Sequence, residues 1–130
     1  MKYAIIIARL LLGLVFAVFG SNAFLHFIPM PPMQGQAGAF SGALITSGYI
    51  YVVAALQVVG GLLLLLERFI PLGLTLLGPV IVNIMLYHIF LDPSGLPMAC
   101  VISVVALFLL WVYRDRFPAI FNRKAPEFLF

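Results

Sequence analysis

Residues 70–91 read IPLGLTLLGPVIVNIMLYHIFL, and this stretch decides the fold. It contains no Asp, Glu, Lys or Arg and exceeds the roughly 20 apolar residues that one helix needs to cross a bilayer. Its polar side chains gather near its end as Asn83, Tyr87 and His88, with Asp92 directly after it. The stretch therefore predicts a membrane-spanning helix with a polar end.

The composition agrees with a membrane setting. Of 130 residues, 65% are apolar and only 8% are charged, whereas a soluble domain carries about 25% charged residues. The formal charge of +3 comes from basic residues near the ends of the apolar blocks, a pattern that fits anionic headgroups rather than nucleic acid. An integral membrane protein with lipid contacts and no nucleic-acid partner is expected.

Three more apolar blocks accompany the first. Together they predict an all-α, integral membrane four-helix bundle in a single domain, 1–130. The predicted helices span about 3–27, 49–66, 70–91 and 96–113, and an amphipathic tail follows over 114–130. The N-terminal block resembles a signal peptide, but Arg9 interrupts its apolar run, so a retained first helix is expected.

Two local patterns refine this bundle. Residues 28–47 are rich in proline and glycine and carry no charge, which predicts a short re-entrant or interfacial segment between the first two helices, with a short helix over 37–45. In the first helix, Gly13, Ala17 and Gly20 form a small-residue stripe, which indicates close packing against another helix. The Gly78-Pro79 pair predicts a bend in the third.

The basic residues predict the orientation. With four spans and a cytoplasmic N-terminus, both termini lie in the cytoplasm, and every Lys and Arg faces that side. These residues are Lys2, Arg9, Arg68, Arg114, Arg116, Arg123 and Lys124. The expected location is the bacterial cytoplasmic (inner) membrane, which the chain crosses several times.

This topology places most polar residues in the outer half of the bundle, where we expect them to face its interior. The ligand-binding candidates are Asn22, His26, Gln57, Asn83, Tyr87, His88 and Asp92. His88 could hydrogen-bond a quinone carbonyl or simply bond to Asp92 at the helix end. For His26 anchoring of the following loop is favoured, and for Asn83 and Gln57 hydrogen bonds between helices. No catalytic residue is assigned.

Three other residues have structural interpretations. Arg9 lies inside the first helix, where it snorkels or forms an ion pair with Glu67 or Asp115. Cys100 is the single cysteine, so an internal disulfide is excluded, and it is expected to be a small buried residue. No helical spacing brings the two histidines together, so no metal site and no intrinsic cofactor are predicted.

Several strings of the sequence carry a family resemblance: 8–16 (ARLLLGLVF) with Phe19-Gly20, His26-Phe27, 30–32 (MPP), 59–64 (VGGLLL), 79–84 (PVIVNI) and 88–97 (HIFLDPSGLP). Together they resemble the DoxX family of small bacterial membrane proteins. The resemblance implies a four-helix membrane protein, and through relatives it implies a link to quinone-dependent or oxidative-stress systems. It supplies no catalytic motif.

Three functions follow as hypotheses. The first is a quinone- or lipid-associated subunit of a membrane redox or oxidative-stress system, with a bound quinone and a protein partner or a homo-oligomer in the membrane. The second is a non-catalytic accessory or scaffold subunit of a larger membrane complex. The third is a small-solute channel or transporter. The residues leave open whether the protein is an enzyme.

Overall fold

The computed structural model describes residues 1–29 and 33–121, and every regular element in these ranges is helical. The helices are α1 (Lys2–Leu25), α2 (Gly35–Ser47), α3 (Tyr49–Leu65), α4 (Ile70–Phe90) and α5 (Leu96–Val112), and 3-10 turns cover Pro93–Gly95, Arg114–Arg116 and Pro118–Phe121. The bounds of the four long helices lie within two residues of the predicted ranges, and the starts at 49, 70 and 96 coincide with them. The rest of the predicted tail, 122–130, lies outside the described residues.

Three of these segments are long and apolar enough to cross a membrane: α1, α4 and the stretch Pro93–Val112. Helix α3 has 17 residues, which is about 25 Å at 1.5 Å per residue and short of a hydrocarbon core of about 30 Å. Together with α2 it passes the same test, but the pair is bent by 86°. The described chain therefore holds three candidate spans, or four if the bent pair counts as one.

The predicted segment between the first two helices contains the 13-residue helix α2. Gly48 separates α2 from α3 and adopts φ 83°, a left-handed conformation that glycine reaches without steric cost. Only Ala37 of α2 is buried. The chain thus turns sharply at Gly48, and most of α2 is left on the surface.

Small residues set the distance between α1 and α3. A Cβ added to Gly61 would lie 2.7 Å from the backbone nitrogen of Ala17 and 2.7 Å from the carbonyl oxygen of Gly13. The two backbones are therefore in close contact. Such contacts stabilise helix pairs in lipid, where the burial of apolar surface does not drive association. The neighbouring Gly60 faces α4, where its Cβ would meet Leu77.

Each of the four long helices packs against two of the other three. Helix α1 packs against α3 and α5, and α4 packs against the same two helices. Their shared centre is apolar and closely packed, and its most fully buried large side chains are Leu12, Phe16, Leu64, Leu77 and Leu109. The ring of α1, α3, α4 and α5 is the frame on which α2 lies.

Arg9 of α1 is buried and completes the end of α3. Its guanidinium donates to the Leu64 carbonyl at 2.5 Å and the Leu65 carbonyl at 3.3 Å. Backbone N–H groups of the next turn satisfy the carbonyls of Leu62, Leu63 and Leu64, so Arg9 supplies the partner for the last of the four carbonyls that a helix end leaves open.

The ion pairs predicted for Arg9 are resolved in part. Its guanidinium lies 3.8 Å from the Glu67 carboxylate, whose side chain is 68% exposed. Asp115 lies in a 3-10 turn, and no ion pair joins it to Arg9. The backbone carbonyls at the end of α3 are the nearer partners, which the charge pattern alone did not indicate.

Two expectations about side-chain facing are wrong. Asn83 is exposed instead of facing the interior, and its amide donates to the Pro79 carbonyl at 2.8 Å within α4 instead of to another helix. A side chain that bonds one turn back needs no neighbouring helix. Cys100 is also exposed, whereas the preceding residue, Ala99, lies on the buried side of α5. Helix α4 continues through Pro79 from Ile70 to Phe90.

Candidate functional site

A cavity of about 560 Å³ lies beneath α2, at the end of the molecule where α1 ends and α3 begins. We call it the α2 cavity. Helix α1 contributes Phe19, Asn22 and His26, α2 lies across it with Ser41 and Ile45, and α3 contributes Tyr51. The cavity exists because α2 leaves α3 at a steep angle instead of extending it.

Asn22 and His26 are positioned by the turn that ends α1. His26 is left-handed, with φ 53°, and its backbone N–H donates to the Asn22 carbonyl at 2.9 Å. The Asn22 side chain accepts from the Ile28 N–H at 2.7 Å and donates to the Ile28 carbonyl at 3.2 Å. Asn22 thus stabilises the turn through both hydrogen bonds to Ile28. His26 is exposed and lines the cavity.

The left-handed backbone at His26 is unusual. Few residues other than glycine adopt a positive φ, although histidine does so more readily than bulky or β-branched residues. Such conformations persist where the surroundings hold them, and they concentrate at functional sites. Here the two hydrogen bonds between Asn22 and Ile28 hold the turn that carries the imidazole.

The cavity wall is apolar with a few neutral polar groups. The polar side chains are Asn22, His26, Ser41 and Tyr51, and the Tyr51 ring packs on Phe24 at 5.5 Å between centroids. No Asp, Glu, Lys or Arg occurs anywhere in 10–66, the part of the chain from which all lining residues come. A group with full charge would find no counter-ion in this wall.

Tyr87 reaches α2 from the other side. Its hydroxyl lies 2.6 Å from the sulfur of Met33, a cavity residue, and its ring lies 5.7 Å from the ring of Phe40 on α2. Ser41 also donates to the Met33 sulfur, at 3.7 Å. Tyr87 of α4 therefore contacts both Met33, just before α2, and Phe40 within α2. It does not border the cavity itself.

His88 and Asp92 belong to a separate turn. The Nδ1 atom of His88 lies 3.0 Å from the backbone carbonyl of Asp92, and its ring packs against Gly95 so closely that no Cβ would fit there. The Asp92 carboxylate accepts from Ser94 at 2.5 Å. Neither residue lines the α2 cavity. The position of His88 is that of a histidine at a helix end that bonds to the turn following its own helix.

Gln57 lies at the contact between α3 and α1, apart from both the cavity and the turn after α4. It is half-buried on α3, where its Cβ would lie 2.9 Å from a Cβ added to Gly20 of α1. The predicted outer cluster is thus divided: Asn22 and His26 meet at the cavity, Tyr87 lies behind α2, and Gln57, Asn83, His88 and Asp92 lie elsewhere. Asn83 and His88 are five residues apart in α4, which is about 140° at 100° per residue, so they face different neighbours.

Sequence reasoning missed the α2 and α3 part of the wall, namely Met33, Ser41 and Tyr51. Met33 and Ser41 lie in the segment that the sequence predicts to be re-entrant or interfacial, and Tyr51 lies at the start of the helix predicted over 49–66. The uncharged, glycine-rich composition of 28–47 was the available signal. It indicated a segment that folds back, but not which helix it would cover.

The arrangement is suited to binding. An imidazole, a hydroxyl and a phenol can donate to or accept from an uncharged polar ligand group, while Phe19 and Ile45 contact apolar parts. Among residues 1–29 and 33–121, no three His, Cys, Asp or Glu side chains come together as metal ligands would. The imidazole, hydroxyl and phenol side chains can therefore form hydrogen bonds to a ligand within an apolar cavity.

Comparison with known proteins gives one informative similarity. The chain is similar to the uncharacterized protein YwoB of Bacillus subtilis (strain 168), with 30% identity over 99 residues that cover 72% of this chain and 64% of that protein. The chain therefore spans less than two thirds of the length of this relative. No protein-family model matches the chain, and no solved structure matches it.

Proposed function

We propose that the protein is a multi-pass membrane protein that binds a neutral amphipathic molecule of the quinone class in the α2 cavity. The observation that carries this proposal is the cavity itself: about 560 Å³ of space with an apolar wall, four polar side chains and no Asp, Glu, Lys or Arg. Ligand sites in proteins have this character, with a mainly apolar lining and a few polar groups that fix orientation.

The absence of charge from the wall selects among membrane molecules. A phospholipid carries a phosphate, which proteins usually meet with Arg or Lys, and the lining residues include neither. A quinone ring is uncharged and presents two carbonyl acceptors, which the imidazole of His26 and the hydroxyls of Ser41 and Tyr51 can meet as donors. A carbonyl that leaves water for an apolar cavity loses its hydrogen bonds to water, so binding is favourable only if donors such as these replace them.

The membrane setting belongs to the same proposal. A bundle of α1, α3, α4 and α5 with both termini in the cytoplasm places every Lys and Arg of the chain on one side, and it places the α2 cavity at the opposite, outer surface. The cytoplasmic membrane of a bacterium fits this arrangement and the similarity to a Bacillus protein. Membership of the DoxX family and a protein partner that exchanges electrons with the quinone complete the proposed role.

The test is the identity of the bound molecule. We would purify the protein in mild detergent, extract it with organic solvent and analyse the extract by mass spectrometry, comparing wild type with His26→Gly. Glycine adopts the left-handed backbone of position 26 freely, so this variant removes the imidazole without straining the turn. We expect a stoichiometric quinone in the wild type and a loss of about tenfold or more in the variant, since a ligand carbonyl would lose its partner.

His88→Gln is the matched control, because it alters a histidine of the same chain that lies outside the α2 cavity. Its extract should contain as much quinone as that of the wild type. A quinone that vanishes with His88→Gln and persists with His26→Gly would move the site to the turn after α4. An extract with only bulk phospholipid in every sample would refute quinone binding and favour an accessory subunit.

A further inference from the structure

A second, smaller cavity lies between α1 and α5, with a volume of about 140 Å³. We call it the α1–α5 groove. It is wholly apolar, and the residues used below to describe it are Leu11, Val15 and Phe19 of α1 and Val101 of α5. Several of these side chains are about half exposed, so the groove opens towards the surroundings of the helices.

Phe19 borders both the groove and the α2 cavity. Leu11, Val15, Phe19 and Ala23 are spaced four residues apart, so they follow one face of α1. The lower part of this face lines the groove and its upper part lines the α2 cavity, where His26 follows. The two cavities are therefore consecutive along one helix face, with a single phenylalanine between them.

Polarity changes along this face in one direction. The α2 cavity presents Asn22 and His26, whereas no polar side chain borders the groove. From Phe19 to Leu11 the helix rises by eight residues, about 12 Å at 1.5 Å per residue. A polar compartment followed by an apolar channel of this length has the profile of a headgroup joined to a hydrocarbon tail.

We infer that the ligand of the α2 cavity carries an isoprenoid tail, and that this tail passes Phe19 and lies in the α1–α5 groove. The inference rests on the proposed function and names its ligand more closely: a long-tailed membrane quinone and not a small soluble one. The ring lies beneath α2 near His26, and the tail follows α1 towards the middle of the membrane. Val101 of α5 forms the opposite wall at that depth.

Two valines of α5 provide a matched test. Val101 borders the groove and is 58% exposed, whereas Val104 is 65% exposed and does not border it. A tryptophan at 101 would fill the groove, whereas position 104 lies outside the set of residues that border it. Both positions are too exposed for the larger side chain to disturb the core, and Val101→Phe provides a smaller obstruction if the tryptophan variant fails to fold.

The measurement is binding to protein in phosphatidylcholine nanodiscs, corrected with empty nanodiscs. The probes are a radiolabelled benzoquinone with a long isoprenoid tail and the same ring with a methyl group in place of the tail. Val101→Trp should weaken binding of the tailed probe by about tenfold, the scale on which an apolar pocket rejects a poorly fitting group. It should leave the tail-less probe unchanged, and Val104→Trp should alter neither.

The outcomes separate the two proposals. If wild type binds both probes and Val101→Trp and Val104→Trp bind the tailed one equally well, the groove holds only bilayer chains and the inference fails while quinone binding stands. If Val101→Trp weakens both probes alike, the groove is not a separate tail site. If the wild type binds neither probe, the proposed function fails and the inference falls with it.

Discussion

Arg9 shows how one buried side chain can hold two helices together. It joins α1 to the end of α3 through two backbone carbonyls, and its contact with the exposed Glu67 is longer, at 3.8 Å. Hydrogen bonds from a charged donor contribute about 1.5–3 kcal/mol, whereas an exposed ion pair contributes about 0–1 kcal/mol. The carbonyl contacts should therefore dominate the stability that Arg9 provides.

We predict that Arg9→Leu lowers the stability of the folded protein by about 2 kcal/mol, because the Leu65 carbonyl loses its partner. Glu67→Gln, which removes only the ion pair, should change stability by less than about 0.5 kcal/mol. Thermal unfolding of both variants in one detergent, monitored by circular dichroism, provides the comparison. Equal losses in the two variants would show that the ion pair is the main contribution of Arg9.

The sequence predicted individual residues unevenly. It indicated that Arg9 needs a partner near Glu67, since an arginine inside an apolar block must satisfy its donors. It did not predict that Asn83 bonds back to Pro79 or that Cys100 is exposed. Which side of a helix is buried depends on where its neighbours lie, and these apolar blocks are hydrophobic all round, so their pattern does not mark a buried face.

Helix α2 is the element on which the site depends. The sequence predicted a short helix over 37–45 within an uncharged segment that is rich in proline and glycine. It did not predict the 86° bend at Gly48 or the contact of α2 with Tyr87. Both are tertiary features: a positive-φ glycine permits many directions, and packing against α3 and α4 selects one of them.

At this scale we predict that Tyr87→Phe loosens α2 without unfolding the frame of long helices. The variant keeps the ring contact with Phe40 but loses the hydroxyl that bonds to the Met33 sulfur. Hydrogen exchange of the α2 backbone amides should become several-fold faster, since a bond of about 1 kcal/mol is lost and local opening depends on such bonds. Amides of α1 and α3 should exchange at their original rates.

Tyr49→Phe is the control for that measurement. Tyr49 begins α3 beside the Gly48 bend, and its side chain is 63% exposed. Its variant should leave the exchange of α2 unchanged. Equal exchange of α2 in Tyr87→Phe and wild type would mean that the hydroxyl does not hold α2, and that ring packing alone does so.

For the whole molecule, the sequence predicts the succession of helices and which of their ends lie on the same side, but it does not predict the cavity. Four apolar blocks and their charges predict which ends of the helices share a side, and the contact of Arg9 with the end of α3 agrees with that arrangement. The cavity needs α1, α2 and α3 in their final positions, because residues of all three helices line it. No local pattern encodes that combination.

The proposed orientation leads to a prediction about the two surfaces of the membrane. In a Cys100→Ser background, which removes the single natural cysteine, Ser94→Cys places a thiol in the exposed turn between α4 and α5, and Lys2→Cys places one at the start of α1. A membrane-impermeant maleimide applied to intact cells should label Ser94→Cys and leave Lys2→Cys unlabelled. After lysis both should react, which shows that both thiols are accessible. Labelling of Lys2→Cys alone in intact cells would reverse the orientation and place the α2 cavity on the cytoplasmic side, where a different partner would have to reach it.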